Sequence, residues 1–479
     1  MGRNSQQRRA QKKRRQEQQA RAQQRAGEHA RPPSGAARPS SGQQPRADDR
    51  SRANAGPDIE RLVMITAQSV QKGATKDVLA YGVKKLLELE ASPPTDGGPR
   101  AVASRLLKAH VTRLLDAGWQ PADLAHFVKR EWTQRAHRLI VAMIAAQSRD
   151  VDAANRAPEA WLGQLEDLGV YDPKRGAILG GQGDVVRGWA ATERLYADEI
   201  LAILLQLVGQ VQTAAPLSFL IDPPSKWSAS NRGSLPKPSP SVPIGDVDAK
   251  ALKLIRALLA KAEATTFEAE AETFTAKAQE MMTRHSIDAA VLASANKGSG
   301  AQSGIESRRV HIDNPYADEK ATFLSIIADV NGARAIWSPD AGFVTVMGFP
   351  VDLHLTDLLF TSLLVQATHA AAESTSHDRR SRTPSYRRAF LLSYAYRIGE
   401  RLEAAKRQTS AVAAEDYGDS LLPILADKQA AVDAAYEEAF PNSTPMKGRS
   451  LDAAGYHAGR AAAERAHIGA GEAIARGAT

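Results

Sequence analysis

Apolar residues recur at helical spacing through much of the chain. Leu106, Leu107, Val111, Leu114 and Leu115 make one stripe, ended by Gly118, a residue suited to the left-handed cap of a helix. Pro121 opens a second helix with Leu124, Phe127, Val128 and Trp132 on its apolar side. Residues 250–288 predict two amphipathic helices joined by a tight turn. The first carries Leu254, Ile255, Leu258 and Leu259, the second Ala271, Phe274, Ala278 and Met281. Thr265 with Glu268 has the form of a capping box that starts the second helix, and His285 falls at its end, where a positive imidazole suits the dipole. From residue 308 the period changes. Arg308–Ile312 alternates as a strand does, and Pro315–Val330 is a helix. Ala333–Ser338 and Phe343–Gly348 read as strands joined by a turn over 339–342, and Val351–Glu373 is a long helix. Residues 384–479 return to helices, with Leu391, Tyr394, Ile398 and Leu402 on one face. Gly455, Gly459 and Ala463 recur four residues apart, a row of small side chains that allows close helix approach.

These elements predict a mainly α protein with a small α+β domain, multi-domain, behind a disordered basic N-terminal tail. At 479 residues the chain exceeds what one hydrophobic core supports. The composition divides it into a tail (1–56), an all-helical domain (57–214), a Pro/Ser-rich linker (215–247), a helical hairpin (248–290), the α+β domain (308–410) and C-terminal helices (411–479). Ile200–Ile221 carries no charge and is long enough to span a bilayer. Gln206, Gln210, Gln212, Thr213, Pro216 and Ser218 interrupt it, so it reads as a buried helix running into a loop, with no membrane role.

The Lys/Ile/Leu-rich helix, acidic turn and Ala-rich helix closing on Gln279-Glu280-Met281-Met282 and Ile287-Asp288 resemble the bacterial and phage family called domain of unknown function 2786. The run Gly118-Trp-Gln-Pro-Ala-Asp-Leu124 is similar to a segment upstream of the hairpin in actinobacterial members. Residues 308–373 resemble a second uncharacterised domain that follows the hairpin in that family. The resemblance implies an architecture and assigns no catalytic residue.

Charge adds the strongest functional signal. Residues 1–56 hold 14 Lys/Arg against 4 Asp/Glu, which leaves 48 against 50 in the remainder. Arg8, Arg9, Lys12, Lys13, Arg14 and Arg15 sit within eight residues, a cluster that favours phosphate backbones through counterion release. No aromatic residue lies in the tail to stack on bases. Arg379, Arg380 and Arg382, with Arg387 and Arg388, form a second cluster among serines and threonines, read either as a phosphate-contacting loop or as a solvated connection. Tyr386 packs at the start of the next helix or stacks on a base. The Gly118–Trp132 region reads as an ordinary helical hairpin or as a DNA reader offering His126, Lys129 and Arg130.

The absence of cysteine fits a reducing cytoplasm, and the N-terminal residues lack the apolar core of a secretory signal. For enzymatic chemistry the candidates are His311, Asp313, Asp352, His354, Asp357, His369, His377 and Asp378, with His354 facing solvent and His369 packed as the bland reading of that pair. None has the spacing of a known metalloprotease motif, and Asp352 is accounted for by the helix dipole. No cofactor or metal is assigned. The expectation is a cytoplasmic, non-enzymatic protein associated with DNA or RNA, or an adaptor for a protein partner. The alternative is a metal-dependent hydrolase or nuclease built on residues 308–378.

Overall fold

Two hydrophobic cores organise the molecule, and a three-stranded sheet lies between them. The computed structural model describes residues 59–69, 76–90, 98–228, 253–261, 268–295, 304–377, 383–443 and 452–466, all within one compact unit spanning Ala55–Thr479. The predicted tail, most of the linker and the Arg379, Arg380 and Arg382 cluster lie outside the described residues.

The first core belongs to helices α1 (59–69), α2 (Lys76–Glu90), α3 (Gly98–Asp116), α4 (Pro121–Glu131), α5 (Gln134–Asp150), α6 (Ala153–Arg156), α7 (Glu159–Asp167), α8 (Val185–Glu193) and α9 (Ala197–Gln212), with a two-stranded ribbon, β1 (Tyr171–Asp172) and β2 (Ala177–Ile178). Leu107, Val111, Leu114, Leu124, Leu139 and Leu204 are fully buried there. Each such side chain contributes about 1.5–3 kcal/mol relative to exposure. Gly118 has φ +92°, and a Cβ on it would collide with the Leu217 carbonyl, so the cap is required both by conformation and by space. The uncharged segment resolves as expected. The helix ends at Gln212, and residues 213–228 return over the core, where Trp227 buries its ring against Trp161. Among the described residues no helix is long and apolar enough to cross a membrane.

The second core gathers α10 (253–261), α11 (Glu268–Ala295), β3 (Glu306–His311), α12 (Ala317–Val330), β4 (Arg334–Ser338), β5 (Phe343–Gly348), α13 (Pro350–His377), α14 (Pro384–Tyr417), α15 (Leu421–Ala439) and α16 (Ala453–Arg465). The sheet is antiparallel in order β3-β5-β4, so the strand–helix–strand–strand–helix reading holds. β5 is buried at every position. On one face Val344 and Val346 join Phe323, Leu324 and Leu359 in the second core, whereas Phe343 on the other face joins the helical core. Alternation puts Arg309 and His311, paired with Thr345 and Phe343, on that same second face.

Two details of the hairpin differ from expectation. Leu254 is 51 % exposed, because it sits at the rim of a stripe that Ile255 and Leu259 already fill. His285 is mid-helix: α11 continues to Ala295, since Ile287 and Ala290 find apolar partners and extend its buried side. Thr265 lies outside the described residues.

The small-residue row on α16 packs as read. Gly455 faces the Tyr386 carbonyl and Gly459 the Phe390 carbonyl, each too close to admit a Cβ, while Ala462 and Ala463 are buried beside them. Gly459→Ala is therefore expected to cost about 1–3 kcal/mol in denaturant unfolding, because neither backbone can retreat. Gly188→Ala, on an exposed turn of α8 with open space around it, should stabilise by about 0.5–1 kcal/mol.

Candidate functional site

The expected site residues fall into three separate places. The first is the contact between α4 and the sheet. Asp123 is the third residue of α4; its Oδ2 accepts the Gln120 amide at 3.0 Å, which caps the helix. The same carboxylate pairs with the Arg309 guanidinium and, at 2.9 Å through Oδ1, with His311 Nε2. Asp123 is 1 % exposed and the Arg309 side chain 4 %. Arg309 also donates to the Gly118 carbonyl at 2.9 Å and the Ser218 carbonyl at 2.7 Å. Burial alone would raise the Asp123 pKa; His311 and Arg309 overcome it and hold the carboxyl below its usual range.

Of the two readings of the Gly118–Trp132 region, the packing of α4 favours the ordinary helical hairpin. His126 is buried and its Nε2–H donates to the Gly342 carbonyl at 3.1 Å. Arg130 donates to the Pro339 carbonyl at 3.0 Å, and Lys129 lies 3.6 Å from Asp313. His126 and Arg130 are turned onto the connections of the sheet, while Lys129 stays exposed beside Asp313. His126 stacks on His311 at 4.7 Å, and burial, then the His311 charge, push its pKa down to about 4.

The second place is a basic junction. Arg256, on the first hairpin helix, donates to His354 Nε2 at 3.0 Å, and Arg308 projects beside them from edge strand β3. Burial, then Arg308 and Arg256, depress the His354 pKa, while Asp357 opposes them. Among the described residues neither arginine has a carboxylate within ion-pair distance. Some arginines of the body are matched, Arg138 with Glu193, Arg397 with Glu464 and Arg460 with Glu400, while Arg113 and Arg149 donate to backbone carbonyls. The bland reading of the histidine pair is reversed, because α10 covers His354 and leaves His369 exposed.

The third place centres on Asp352, which is 0 % exposed. Its Oδ1 accepts the Ser286 hydroxyl at 2.7 Å, its Oδ2 pairs with Lys428 at 2.7 Å, and Lys428 donates to Ser286 Oγ at 2.9 Å. The helix dipole thus gave only part of the reason for Asp352. Next to this triangle is a cavity of about 80 Å³ that Ser286, Lys406 and Lys428 line. Lys406 donates to the Val330 carbonyl at 2.6 Å. Burial pushes its amine below the lysine range, Asp352 opposes this, and Lys428 adds to it.

The His/Asp set therefore does not converge: His311 and Asp313 face α4, Asp352 faces α11 and α15, and His354 faces α10. Among the described residues no group of three or more His, Asp or Glu is placed to hold a metal ion. The His377 side chain and Asp378 lie outside the described residues, as do Arg8, Arg9, Lys12, Lys13, Arg14 and Arg15. Tyr386 is buried in the first turn of α14, capped by Thr383, and offers no ring to a base. Ser286, Lys406 and Lys428 were missed, because isolated lysines and serines on amphipathic helices carry no spacing signal.

The α4–sheet contact should loosen in acid. His126 has a pKa held near 4 against an ordinary 6.5, so its neutral form is favoured by folding and stability is lost as pH falls between those values. His126→Gln, which keeps an N–H donor, should flatten the pH dependence of unfolding free energy by about 2–3 kcal/mol across that window. Equal slopes for both proteins would contradict the assignment.

Residues 250–289 match the model of a family described as a protein of unknown function (DUF2786), so the hairpin carries a DUF2786 domain. Ser286, Arg256 and Met282 belong to that segment. No curated protein and no solved structure matches the chain.

Proposed function

We propose that the protein is a non-enzymatic, nucleic-acid-associated protein of the cytoplasm. Arg8, Arg9, Lys12, Lys13, Arg14 and Arg15 supply sequence-independent attraction to a phosphate backbone, and the junction of Arg256, Arg308 and His354 supplies a contact fixed on the folded body. The observation that carries this reading is the junction itself. It holds two guanidinium groups beside an imidazole, with Asp357 the opposing charge, and among the described residues neither guanidinium has a carboxylate within ion-pair distance. Like charges held together in this way are relieved by an anion. The charge partition, 14 basic residues against 4 acidic in the first 56, supports the same reading. Arg379, Arg380 and Arg382 follow the end of α13 opposite to His354 and add a further run of cations to the sequence.

Anisotropy titrations with DNA and RNA oligonucleotides test it on the full chain. Replacing the six tail cations by Gln should weaken binding at least tenfold and lower the salt slope by about four to five. Arg256→Gln and Arg308→Gln should each lower it by about one, uniformly across base sequences. Unchanged affinity in both sets would overturn the proposal. Capture of a protein partner that survives nuclease treatment would favour the adaptor reading instead.

A further inference from the structure

Four elements meet at the cavity beside Asp352, and each contributes polar groups. The DUF2786 helix brings Thr283 and Ser286, the end of α12 brings Asn331, α14 brings Lys406 and Ser410, and α15 brings Lys428. The charges here do not balance. Asp352 lies fully buried behind Ser286 and neutralises Lys428. Lys406 is left with the Val330 carbonyl, and among the described residues no carboxylate lies within ion-pair distance of it. A half-buried cation without a counter-charge is costly, and the space beside it is bounded by its own ammonium group, that of Lys428 and polar side chains, together with apolar Met282, Ile287, Val330 and Leu425. At about 80 Å³ it has room for on the order of five water molecules, which is also about the heavy-atom count of a tetrahedral oxyanion.

We infer that this cavity is a binding site for a small oxyanion, such as phosphate or a carboxylate, held between the ammonium groups of Lys406 and Lys428. Asp352 is a positioning residue: through Ser286 and the Lys428 pair it fixes the direction of both groups and does not touch the ligand. The lowered pKa of Lys406 fits this arrangement, since an arriving anion favours the charged amine and opposes the effect of burial. The site is separate from the basic junction, so the two readings can fail independently.

Isothermal titration of the full chain with inorganic phosphate, sulfate and acetate at constant ionic strength, balanced with chloride, tests the inference and separates the oxyanion sources. At least one should bind saturably at one per chain. Lys406→Met, which leaves every tail cation in place, should weaken that binding at least tenfold. Its ligand-free thermal midpoint should be equal to or above that of the unaltered protein, because an unmatched buried charge has been removed. Ser410→Val, which fills the cavity without changing a charge, should weaken binding as well and serves as the test if Lys406→Met fails to fold. Absence of saturable binding for all three anions, or affinity unchanged in the variants, would overturn the inference.

Discussion

A carboxylate taken out of water has to be met by cations or donors, and this requirement joins the parts of the molecule. Asp123 and Asp352 are both essentially inaccessible, and each draws partners from segments far apart in sequence. Asp123 begins as a local cap on α4 and ends as the pairing partner of Arg309 and His311, about 190 residues on (186 and 188). Asp352 ties the start of α13 to the DUF2786 helix and to α15. Removing one partner of such a pair strands the other charge, which costs about 3–5 kcal/mol; these contacts therefore fix relative placement more than they add net stability.

The sheet explains why the Asp123 carboxylate is needed. β5 is buried on both faces, so each face requires its own cover. The second core covers the face with Val344 and Val346 through ordinary apolar packing. The other face carries Arg309 and His311 on the edge strand, and only a partner surface with an embedded carboxylate can accept it. Gly118, with its left-handed cap, turns the chain into α4 and exposes the carbonyl that Arg309 also uses. Apart from these engaged groups, Arg256 and Arg308 at the junction and Lys406 in the cavity have no carboxylate within ion-pair distance among the described residues, and each lies beside another basic group.

The periodic signals in the sequence were legible wherever burial alone sets the pattern. The stripes of α3, α4 and α14, the succession of strands and helices from residue 308 and the small-residue row of α16 follow from spacing, because apolar packing acts on neighbours three, four or two residues apart. The site was far less legible. His126 and Arg130 read as part of an outward basic edge, yet only Lys129 of that edge is exposed, since periodicity reports which side of a helix is polar but not which polar residues meet another element. Asp352 drew notice only as a helix-start acid, and Lys428 and Ser286 gave no sign at all. They are joined by tertiary geometry across 142 residues, which no local pattern encodes. The extension of α11 past His285 was hidden for a related reason: Ile287, Ala413 and Leu421 form a small third cluster that rewards continuing the helix.

The account stands most directly on the ionic-strength dependence of binding by the unaltered full-length chain. With about six phosphate contacts from the tail, log K for duplex DNA should fall against log salt with a slope of about −5 or steeper, and at a given ionic strength affinity should vary little with base sequence. A slope near zero, or no measurable association with DNA or RNA even at low salt, would contradict it.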